Sequence, residues 1–362
     1  RRPPRSTLFP YTTLFRSSSG KTTLSIGLSA AIRQRGLSLQ TFKKGPDFID
    51  PMWLQQASGS ACYNLDFYTS SHDYIRQQFA YHGQNRDMLL VEGNMGLYDG
   101  ISLDGSDSNA AMARLLGLPV VLVADCSGTS RGIAPLLNGY QQFDPELEFA
   151  GVILNKVAGE RHLGKLQNVI EAYTDFDILG ALPRSDDIRL TERHLGLIPS
   201  NEIGSQADQV IELLAQKVND HIDVDKVILI NRDNPIRPVA AAPGPAATAA
   251  SGLRIAIARD QAFGFYYPGD LDRFQALGVE LVPFDTLEDE ALPADIDGLF
   301  IGGGFPETQL AKLSANMRLR EQIKQVIEDG LPGYAECGGL MYLCQDMIQD
   351  NRRYPLCGII AA

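Results

Sequence analysis

The chain alternates short apolar segments with amphipathic stretches over most of its length, and this alternation restricts the fold more than any other feature. The apolar segments of the first part are residues 39–42, 88–91, 120–123 and 151–154. Helical periodicity falls at residues 22–34, 73–81, 110–116 and 162–173. Strands that are apolar throughout are typical of a parallel sheet covered on both faces. We therefore predict an α/β fold with a doubly wound, mostly parallel sheet.

A second segment of the same kind follows a stretch rich in proline, glycine and alanine at residues 234–251, which is typical of a linker. Its predicted strands are 253–258, 279–283, 298–301 and 331–335, and its predicted helices are 269–277, 316–329 and 340–347. The domains expected are 17–232 and 253–362, with a linker at 233–252. Because α/β domains commonly have ~100–200 residues, we expect the second domain to continue beyond residue 362.

Composition excludes several classes of function. The formal net charge of −12 argues against nucleic acid or an anionic membrane as the main partner. No apolar segment is long enough to cross a bilayer. The five cysteines show neither metal-ligand spacing nor a disulfide framework, so we expect a reduced, cytoplasmic setting.

The first sixteen residues differ from the rest of the chain. They are basic and proline-rich, and residues 6–10 are nearly repeated at 12–16. They lack the apolar core of a secretory signal. We interpret residues 1–16 either as foreign sequence joined to a gene fragment or as a disordered native tail, and we favour the foreign origin.

A phosphate-binding loop is indicated at the start of the first predicted helix. The segment contains the end of the pattern Gly-x-x-x-x-Gly-Lys-Ser/Thr, although Phe15 stands where the first glycine belongs. Backbone N–H groups at a helix N-terminus bind phosphate, a lysine reaches the β and γ phosphates, and a threonine ligates Mg²⁺. The alternative is a helix that happens to begin with these residues, but the sheet pattern favours ATP. The predicted nucleotide-binding residues here are Ser19, Gly20, Lys21, Thr22 and Thr23.

Two acidic clusters follow strands of the same predicted sheet. Asp47 and Asp50 come after the strand at 39–42, and Glu92 and Asp99 follow the strand at 88–91. The carboxyl ends of parallel strands meet at one edge of the sheet, where ligands bind. Carboxylate oxygens suit Mg²⁺, and Glu92 directly follows its strand, as a metal-binding acid of P-loop enzymes does. Ordinary turn and helix capping by Asp47 and Asp50 is the alternative.

Cys337 is predicted to be a nucleophile on a sharp turn. It stands between an apolar strand and a helix, and Gly338 and Gly339 permit a strained elbow. Upstream, a triple glycine follows another strand, and the N–H groups of Gly303 and Gly304 are candidates for an oxyanion hole. The alternative is a buried structural cysteine. We assign that alternative to Cys126, Cys344 and Cys357.

With both sites located, the chain resembles the cobyrinic acid a,c-diamide synthase family, the glutamine-dependent amidotransferases of cobalamin biosynthesis. The resemblance extends from about residue 17 to residue 362. Its most specific segments are Gly45-Pro46-Asp47-Phe48-Ile49-Asp50-Pro51 and Glu92-Gly93-Asn94-Met95-Gly96-Leu97-Tyr98-Asp99-Gly100. Further matching segments are residues 18–23, 151–155, 191–197, 302–307 and 335–339.

The resemblance implies a synthetase domain related to dethiobiotin synthetase and a triad-type glutaminase domain. In such an enzyme ATP with Mg²⁺ phosphorylates the a and c carboxylates of the corrin ring, and ammonia released from glutamine at Cys337 gives the amides. The residue roles that it implies are Thr22, Asp47 and Glu92 at the metal or next to it, Asp50 and Asp99 near the reacting carboxylate, and Asn155 at the adenine.

The implied partners are small molecules, namely ATP, glutamine and a corrinoid acid, and a homodimer is left open. A thiol nucleophile needs a base, yet all five histidines precede the linker. One of them, His194, is either a loop residue or part of the substrate site. We expect the partner histidine to lie beyond residue 362, and this chain to lack glutaminase activity.

Three other interpretations remain open at this stage. Cobyric acid synthase, or an enzyme that amidates another tetrapyrrole, would share both domains. A P-loop switch ATPase of the partitioning type would need neither the second domain nor the cysteine elbow. An inert gene fragment is the third.

Overall fold

The computed structural model describes residues 6–9, 20–184, 192–193, 196–233 and 252–362. The chain forms two compact units, the first spanning residues 1–198 and 205–242 and the second residues 199–204 and 243–362. Residues 234–251 of the predicted linker lie outside the described part, as do Ser19 and His194. Among the described residues, no helix combines the length and apolar character that a bilayer crossing requires.

The strands of the first unit are β1 (Ser6–Phe9), β2 (Leu39–Lys44), β3 (Tyr63–Leu65), β4 (Met88–Glu92), β5 (Val120–Asp125), β6 (Phe149–Val157), β7 (Ile178–Pro183), β8 (Glu192–Arg193) and β9 (Gly196–Leu197). The helices are α1 (Lys21–Gln34), α2 (Ile49–Ser58), α3 (His72–Gly83), α4 (Asn109–Leu116), α5 (Ile133–Phe143) and α6 (Glu160–Tyr173), then α7 (Ser200–Ile203) in the second unit, and α8 (Ser205–His221) and α9 (Val224–Asp233) in the first.

The first unit is built on a parallel sheet of strand order β3-β2-β4-β1-β5-β6-β7. Its central strands are apolar on both faces. In β4, Leu89 and Val91 join a core with α3 to α6, whereas Met88 and Leu90 join a second core with α1, α8 and α9. The continuous apolar runs in the sequence thus correspond to strands covered on both faces. The predicted doubly wound, mostly parallel architecture is confirmed.

Residues 6–9 form β1, which pairs in parallel with β4 from Ser6↔Leu89 to Phe9↔Glu92 and also pairs with β5 through Leu8↔Val120. Without a strand in this place, the facing edges of two buried strands would lack hydrogen-bond partners, which is costly. The alternative of a disordered tail therefore does not describe Ser6–Phe9, and the favoured foreign origin of residues 1–16 stays a prediction.

The strands of the second unit are β10 (Arg254–Ala258), β11 (Glu280–Phe284), β12 (Gly298–Ile301), β13 (Gly333–Ala335), β14 (Asp346–Gln349) and β15 (Arg352–Pro355). The first four form a smaller parallel sheet of order β11-β10-β12-β13. Its further helices are α10 (Pro268–Ala276), α11 (Leu310–Ala315), α12 (Met317–Glu328) and α13 (Gly338–Tyr342). Phe263, Leu299, Ile301, Leu313 and Ile323 are buried in its core.

The prediction of a helix at 340–347 is wrong from residue 343 onwards. Helix α13 ends at Tyr342, and Asp346–Gln349 forms a hairpin with Arg352–Pro355. The turn residues Asp350 and Asn351 both have positive φ, at 50° and 60°. Asn and Asp tolerate this conformation, which two-residue hairpin turns require. The hairpin turn at Asp350 and Asn351 therefore overrides the helical pattern that precedes it in the sequence.

Candidate functional site

The predicted phosphate loop lies at the N-terminus of α1. Gly20 has φ of 83°, a left-handed conformation that only glycine adopts without strain. A Cβ atom at Gly20 would lie 2.3 Å from Nδ2 of Asn155, so the end of β6 contacts the loop. Lys21, Thr22 and Thr23 follow in the first turn, where the direction of the backbone N–H groups and the helix dipole favour an anion. This arrangement can bind phosphate.

Lys21 is buried, with 7% of its surface exposed. Burial lowers the pKa of Lys21 to about 8, against the opposing effect of the Glu92, Asp50 and Asp99 charges, while the nearby Lys43 cation lowers it further. An anionic phosphate beside Lys21 would favour its protonated form. The lysine is therefore placed to receive a ligand of negative charge.

The Thr22 hydroxyl connects α1 to the acidic residues. Its Oγ1 lies 2.8 Å from Oε1 of Glu92 and 3.1 Å from Oδ2 of Asp50. A hydroxyl has one proton, so Thr22 donates to one carboxylate at a time. The structure thus brings together three predicted residues from α1, α2 and β4.

Lys43 lies at the centre of the same group, and the sequence analysis gave it no role. Its Nζ donates to Asp50 Oδ2 at 2.5 Å, to Glu92 Oε1 at 2.8 Å and to the Gly93 carbonyl at 3.1 Å, and it lies 3.8 Å from Asp47 Oδ2. Its side chain is 2% exposed. The strand predicted at residues 39–42 ends before Lys43, so no sequence signal marks this lysine, whereas in the structure β2 extends to Lys44 and is buried throughout.

The two carboxylates differ in their electrostatics. Burial raises the pKa of Glu92, which is fully buried and whose Oε2 receives no hydrogen bond. Burial alone would raise the pKa of Asp50 as well, but the Lys43 ammonium and hydrogen bonds from Lys43 and Thr22 hold it below its usual range. Asp50 is therefore the stably charged member of the pair.

Asp47 takes part in local structure as well. Its Oδ1 accepts hydrogen bonds from the N–H groups of Ile49 at 2.8 Å and Asp50 at 3.2 Å, which caps the start of α2. Burial and the Asp50 charge raise the pKa of Asp47 to about 6. The capping alternative thus describes Asp47, while its other oxygen faces Lys43.

Asp99 closes a tight turn after β4. Its N–H bonds to the Gly96 carbonyl at 3.3 Å, and a Cβ atom at Gly96 would lie 2.2 Å from Oδ2 of Asp99. Glycine at position 96 therefore leaves room for the Asp99 carboxylate. The Asp99 charge acts on Lys21, so the turn lies near the head of α1.

The oxygen donors at the head of α1 suit a hard cation and would fill part of its coordination shell. Among the described residues, no three His, Cys, Asp or Glu side chains converge as a metal site. The oxygen donors that do converge are Thr22, Asp50 and Glu92, and the buried, unpaired Oε2 of Glu92 is a spare ligand atom. Mg²⁺ in phosphate enzymes commonly takes one or two carboxylates, with phosphates and water as its other ligands. The residues fit Mg²⁺ on these terms.

Cys337 lies on a strained elbow between β13 and α13. Its φ and ψ are 48° and −117°, and its side chain is exposed. A Cβ atom at Gly339 would lie 2.2 Å from the Ile301 carbonyl, and one at Gly338 would lie 2.6 Å from the Gly304 carbonyl. Only glycines allow the elbow to approach the triple-glycine turn this closely. The sequence prediction of a nucleophile-type elbow agrees with this geometry.

The triple-glycine turn, residues 302–304, is held in place by hydrogen bonds to residues 264–266. The Gly303 carbonyl accepts from the N–H groups of Gly264 and Phe265, and the Gly302 N–H donates to Tyr266 Oη at 2.9 Å. A Cβ atom at Gly303 would lie 3.4 Å from Cβ of Cys337. Because the Gly302 N–H is already bonded, Gly303 and Gly304 are the remaining candidates for an oxyanion hole.

The other cysteines differ from Cys337. Cys62, Cys126 and Cys357 are buried, and Cys344 is partly exposed. Burial raises the pKa of the Cys126 and Cys357 thiols to about 12. These environments agree with a structural role for the buried thiols.

The fold and the two sites define a class of protein, a P-loop nucleotide-binding unit joined to a unit that carries an exposed cysteine elbow. Two family models match the same division. Residues 12–198 match the CobQ/CobB/MinD/ParA nucleotide binding domain, and residues 254–362 match the CobB/CobQ-like glutamine amidotransferase domain. The alignment with the chloroplast FtsY structure from Physcomitrella patens covers 59% of this chain and 66% of that chain at 16% identity, with a TM-score of 0.37.

Curated relatives are similar along nearly the whole chain. The cobyrinate a,c-diamide synthase of Magnetococcus marinus is 43% identical over 352 residues, which cover 95% of this chain and 74% of that protein. The cobyrinate a,c-diamide synthase of Synechococcus is 43% identical, covering 96% and 76%. That of Listeria innocua is 40% identical, covering 95% and 76%. The chain belongs to the cobyrinate a,c-diamide synthase family.

Proposed function

We propose that this protein amidates the a and c carboxylates of cobyrinic or hydrogenobyrinic acid, with ATP, Mg²⁺ and glutamine, through acyl-phosphate intermediates in cobalamin biosynthesis. The observation that carries the proposal is the convergence of Lys21, Thr22, Asp50 and Glu92 at the head of α1. The names of the relatives supply the substrate class.

The first half-reaction needs a bound and oriented triphosphate. The N–H groups at the start of α1 and the Lys21 ammonium bind its phosphates, and Asn155, next to Gly20, contacts the adenine. Thr22, Asp50 and Glu92 would hold Mg²⁺, with Asp47 beside them. Bound there, the metal would neutralise the negative charge that develops on phosphoryl transfer.

The corrinoid carboxylate is the phosphoryl acceptor in this proposal. A carboxylate resists attack by a nucleophile, and phosphorylation both removes its charge and supplies a leaving group. The charges of Asp50 and Asp99 both act on Lys21. We assign these two residues to orienting the acceptor, so that the reaction gains from proximity rather than from covalent help by the protein.

The second unit supplies ammonia in the proposed reaction. The Cys337 thiolate adds to the side-chain amide of glutamine, and the Gly303 and Gly304 N–H groups stabilise the oxyanion. The C–N bond then breaks as the nitrogen takes a proton and leaves as ammonia, and water hydrolyses the thioester on Cys337 to glutamate. That step needs a base, and residues 222–362 contain no histidine. The test therefore supplies free ammonia, which attacks an acyl phosphate without help from Cys337.

The experiment uses cobyrinic acid labelled with ¹⁸O in its carboxylates, MgATP and ammonium chloride at alkaline pH. An acyl phosphate transfers one carboxylate oxygen to inorganic phosphate for each amide formed, and mass spectrometry reads both products. The formation of diamide without ¹⁸O in phosphate contradicts the acyl-phosphate mechanism. The absence of both diamide and ADP contradicts the proposed function.

The choice of substrate in the assay distinguishes the proposed function from the activities of related amidotransferases. Cobyric acid synthase activity, or amidation of another tetrapyrrole, would appear as turnover of later corrinoid intermediates or of nickel-sirohydrochlorin and not of cobyrinic acid. The partitioning ATPase is disfavoured by the amidotransferase match at residues 254–362 and by the Cys337 elbow. The cytoplasmic setting and the homodimer stay predictions.

A further inference from the structure

Lys43 contacts one carboxylate oxygen of each acidic residue that the proposed function gives to the metal. Glu92 Oε1 accepts from Lys43 Nζ at 2.8 Å and from Thr22 Oγ1 at the same distance. Asp50 Oδ2 lies 2.5 Å from Lys43 Nζ and 3.1 Å from Thr22 Oγ1. A divalent cation that used these oxygens would meet the ammonium at close range. The ammonium and the metal therefore compete for the same place.

The carboxylates outnumber the lysines at the metal-free site. Lys43 faces Asp50 and Glu92 and lies 3.8 Å from Asp47, while Asp99 acts on Lys21. The removal of one partner of a buried ion pair leaves an uncompensated charge, which is strongly unfavourable. Lys43 thus stabilises a carboxylate pair that would otherwise attract a cation. A divalent cation that entered at Asp50 Oδ2 and Glu92 Oε1 would be repelled by the Lys43 ammonium that already contacts both oxygens.

We propose that Lys43 is a positioning residue that acts as an internal counter-cation and excludes the divalent cation until nucleotide binds. The phosphates then supply the negative charge that lets the ammonium and the metal occupy the site together. The metal enters with the nucleotide rather than before it. This inference rests on the proposed function, because it takes Thr22, Asp50 and Glu92 as the metal ligands.

Lys44 provides a matched control. It is the next residue of β2 and is also buried, with 6% of its surface exposed. Its Nζ lies 3.3 Å from Oδ1 of Asn94 and 6.0 Å from the centroid of the Phe67 ring. The ion pairs of the acidic group involve Lys43 instead. A change at Lys44 therefore alters a buried lysine of the same strand outside the proposed metal site.

The test measures Mn²⁺ binding to the full chain by the loss of the electron paramagnetic resonance signal of free Mn²⁺, which accepts the same oxygen ligands as Mg²⁺. The proteins are wild type, Lys43→Met, Lys43→Gln and Lys44→Met, each without nucleotide and with the β,γ-imido analogue of ATP. Wild type is expected to bind Mn²⁺ at least roughly tenfold more weakly without the analogue. Both Lys43 variants are expected to bind Mn²⁺ at least roughly tenfold more tightly than wild type when nucleotide is absent. Lys44→Met is expected to match wild type.

Thermal unfolding gives a second readout without nucleotide. The Tm of Lys43→Met is expected to fall below that of wild type, and Mn²⁺ is expected to raise the Tm of the variant more than that of wild type, because the metal replaces the missing cation. Folded Lys43 variants that bind Mn²⁺ no more tightly than wild type would overturn the proposal. If neither variant folds, Mn²⁺ binding to wild type without nucleotide decides, and tight binding there overturns the proposal.

No turnover is read in this test, so its failure is separate from failure of the proposed function. Tight binding of Mn²⁺ to wild type without nucleotide would end the counter-cation role and leave corrinoid amidation standing. A protein that forms no diamide but shows the expected Mn²⁺ pattern would keep the role of Lys43 and lose the proposed reaction.

Discussion

The Thr22 hydroxyl lies 2.8 Å from Oε1 of Glu92, although 70 residues separate the two in the chain. The contact joins the first turn of α1 to the last residue of β4. In a parallel sheet the carboxyl ends of the strands share one edge, and this places Glu92 at the head of the helix. The contact brings together two of the residues to which the proposed function assigns the metal.

We predict that Thr22→Ala and Glu92→Gln each lower corrinoid-dependent ADP release at least about 100-fold, which corresponds to ~2.7 kcal/mol of transition-state stabilisation. Each change removes one oxygen donor from the proposed metal site. The measurement is steady-state ADP release with saturating MgATP and cobyrinic acid.

Thr22→Ser is the matched control, because it keeps the hydroxyl and removes only a methyl group. We expect this variant to retain activity within about tenfold of wild type. Full activity of Thr22→Ala would show that the hydroxyl does not take part in phosphoryl transfer.

Much of this edge could be predicted from the sequence because its signals are local. The continuous apolar strands predicted the sheet, and Gly20-Lys21-Thr22 predicted the head of α1. The positions of Asp50 and Glu92 just beyond strands predicted that they would meet. The flanking glycines of Cys337 predicted its elbow, since only glycine fits the contacts that the structure has there.

The errors share a physical cause, which is the dependence of a residue on distant partners. In the sequence Lys43 is indistinguishable from a charged surface residue, because its partners Asp50 and Glu92 are brought to it only by the fold. Ser6–Phe9 is a strand because β4 and β5 lie on either side of it. The helix predicted at 340–347 ends early because the chain after it returns as a hairpin partner.

We predict that Gly20→Ala weakens binding of the β,γ-imido analogue of ATP at least about tenfold. The new methyl group would adopt φ of 83° and would press on Nδ2 of Asn155, whose Oδ1 is held by the Lys156 N–H. The site would lose both the loop conformation and the position of Asn155. Calorimetric titration with the analogue gives the affinity.

Gly36→Ala is the matched control for Gly20→Ala. Gly36 has a similar φ of 75°, lies just beyond the other end of α1, and has nothing within 4 Å of its Cβ position. We expect this variant to lose ~1 kcal/mol of stability from backbone strain and to bind the analogue as wild type does. Equal losses of affinity in both variants would attribute the effect to strain in general and not to the contact with Asn155.

We predict that iodoacetamide at about pH 9 modifies Cys337 first in the folded protein. Cys337 is exposed, whereas burial holds the pKa of Cys126 and Cys357 at about 12, so roughly one of these thiols in a thousand is ionised at that pH. The sign follows from the raised pKa: their thiolate fraction grows only as the pH rises towards 12. Peptide mass spectrometry locates the label over time.

Cys337→Ser and Cys344→Ser separate the two more accessible thiols in that experiment. The fast phase is expected to disappear only in Cys337→Ser. In urea, all five cysteines should react together, because unfolding removes the burial that distinguishes them. Fast labelling of Cys126 in the folded protein would contradict its placement in the core.

We predict that this chain of 362 residues forms corrinoid amide with ammonia and not with glutamine. Cys337 has an elbow and a glycine turn beside it, but residues 222–362 contain no histidine to act as its base. Ammonia needs no thiol, so Cys337→Ser is expected to leave ammonia-dependent amidation unchanged. The rate with ammonium chloride should rise with pH, because the unprotonated form is the nucleophile. Glutamate release from glutamine that Cys337→Ser abolishes would contradict this prediction and would require a base other than histidine at the elbow.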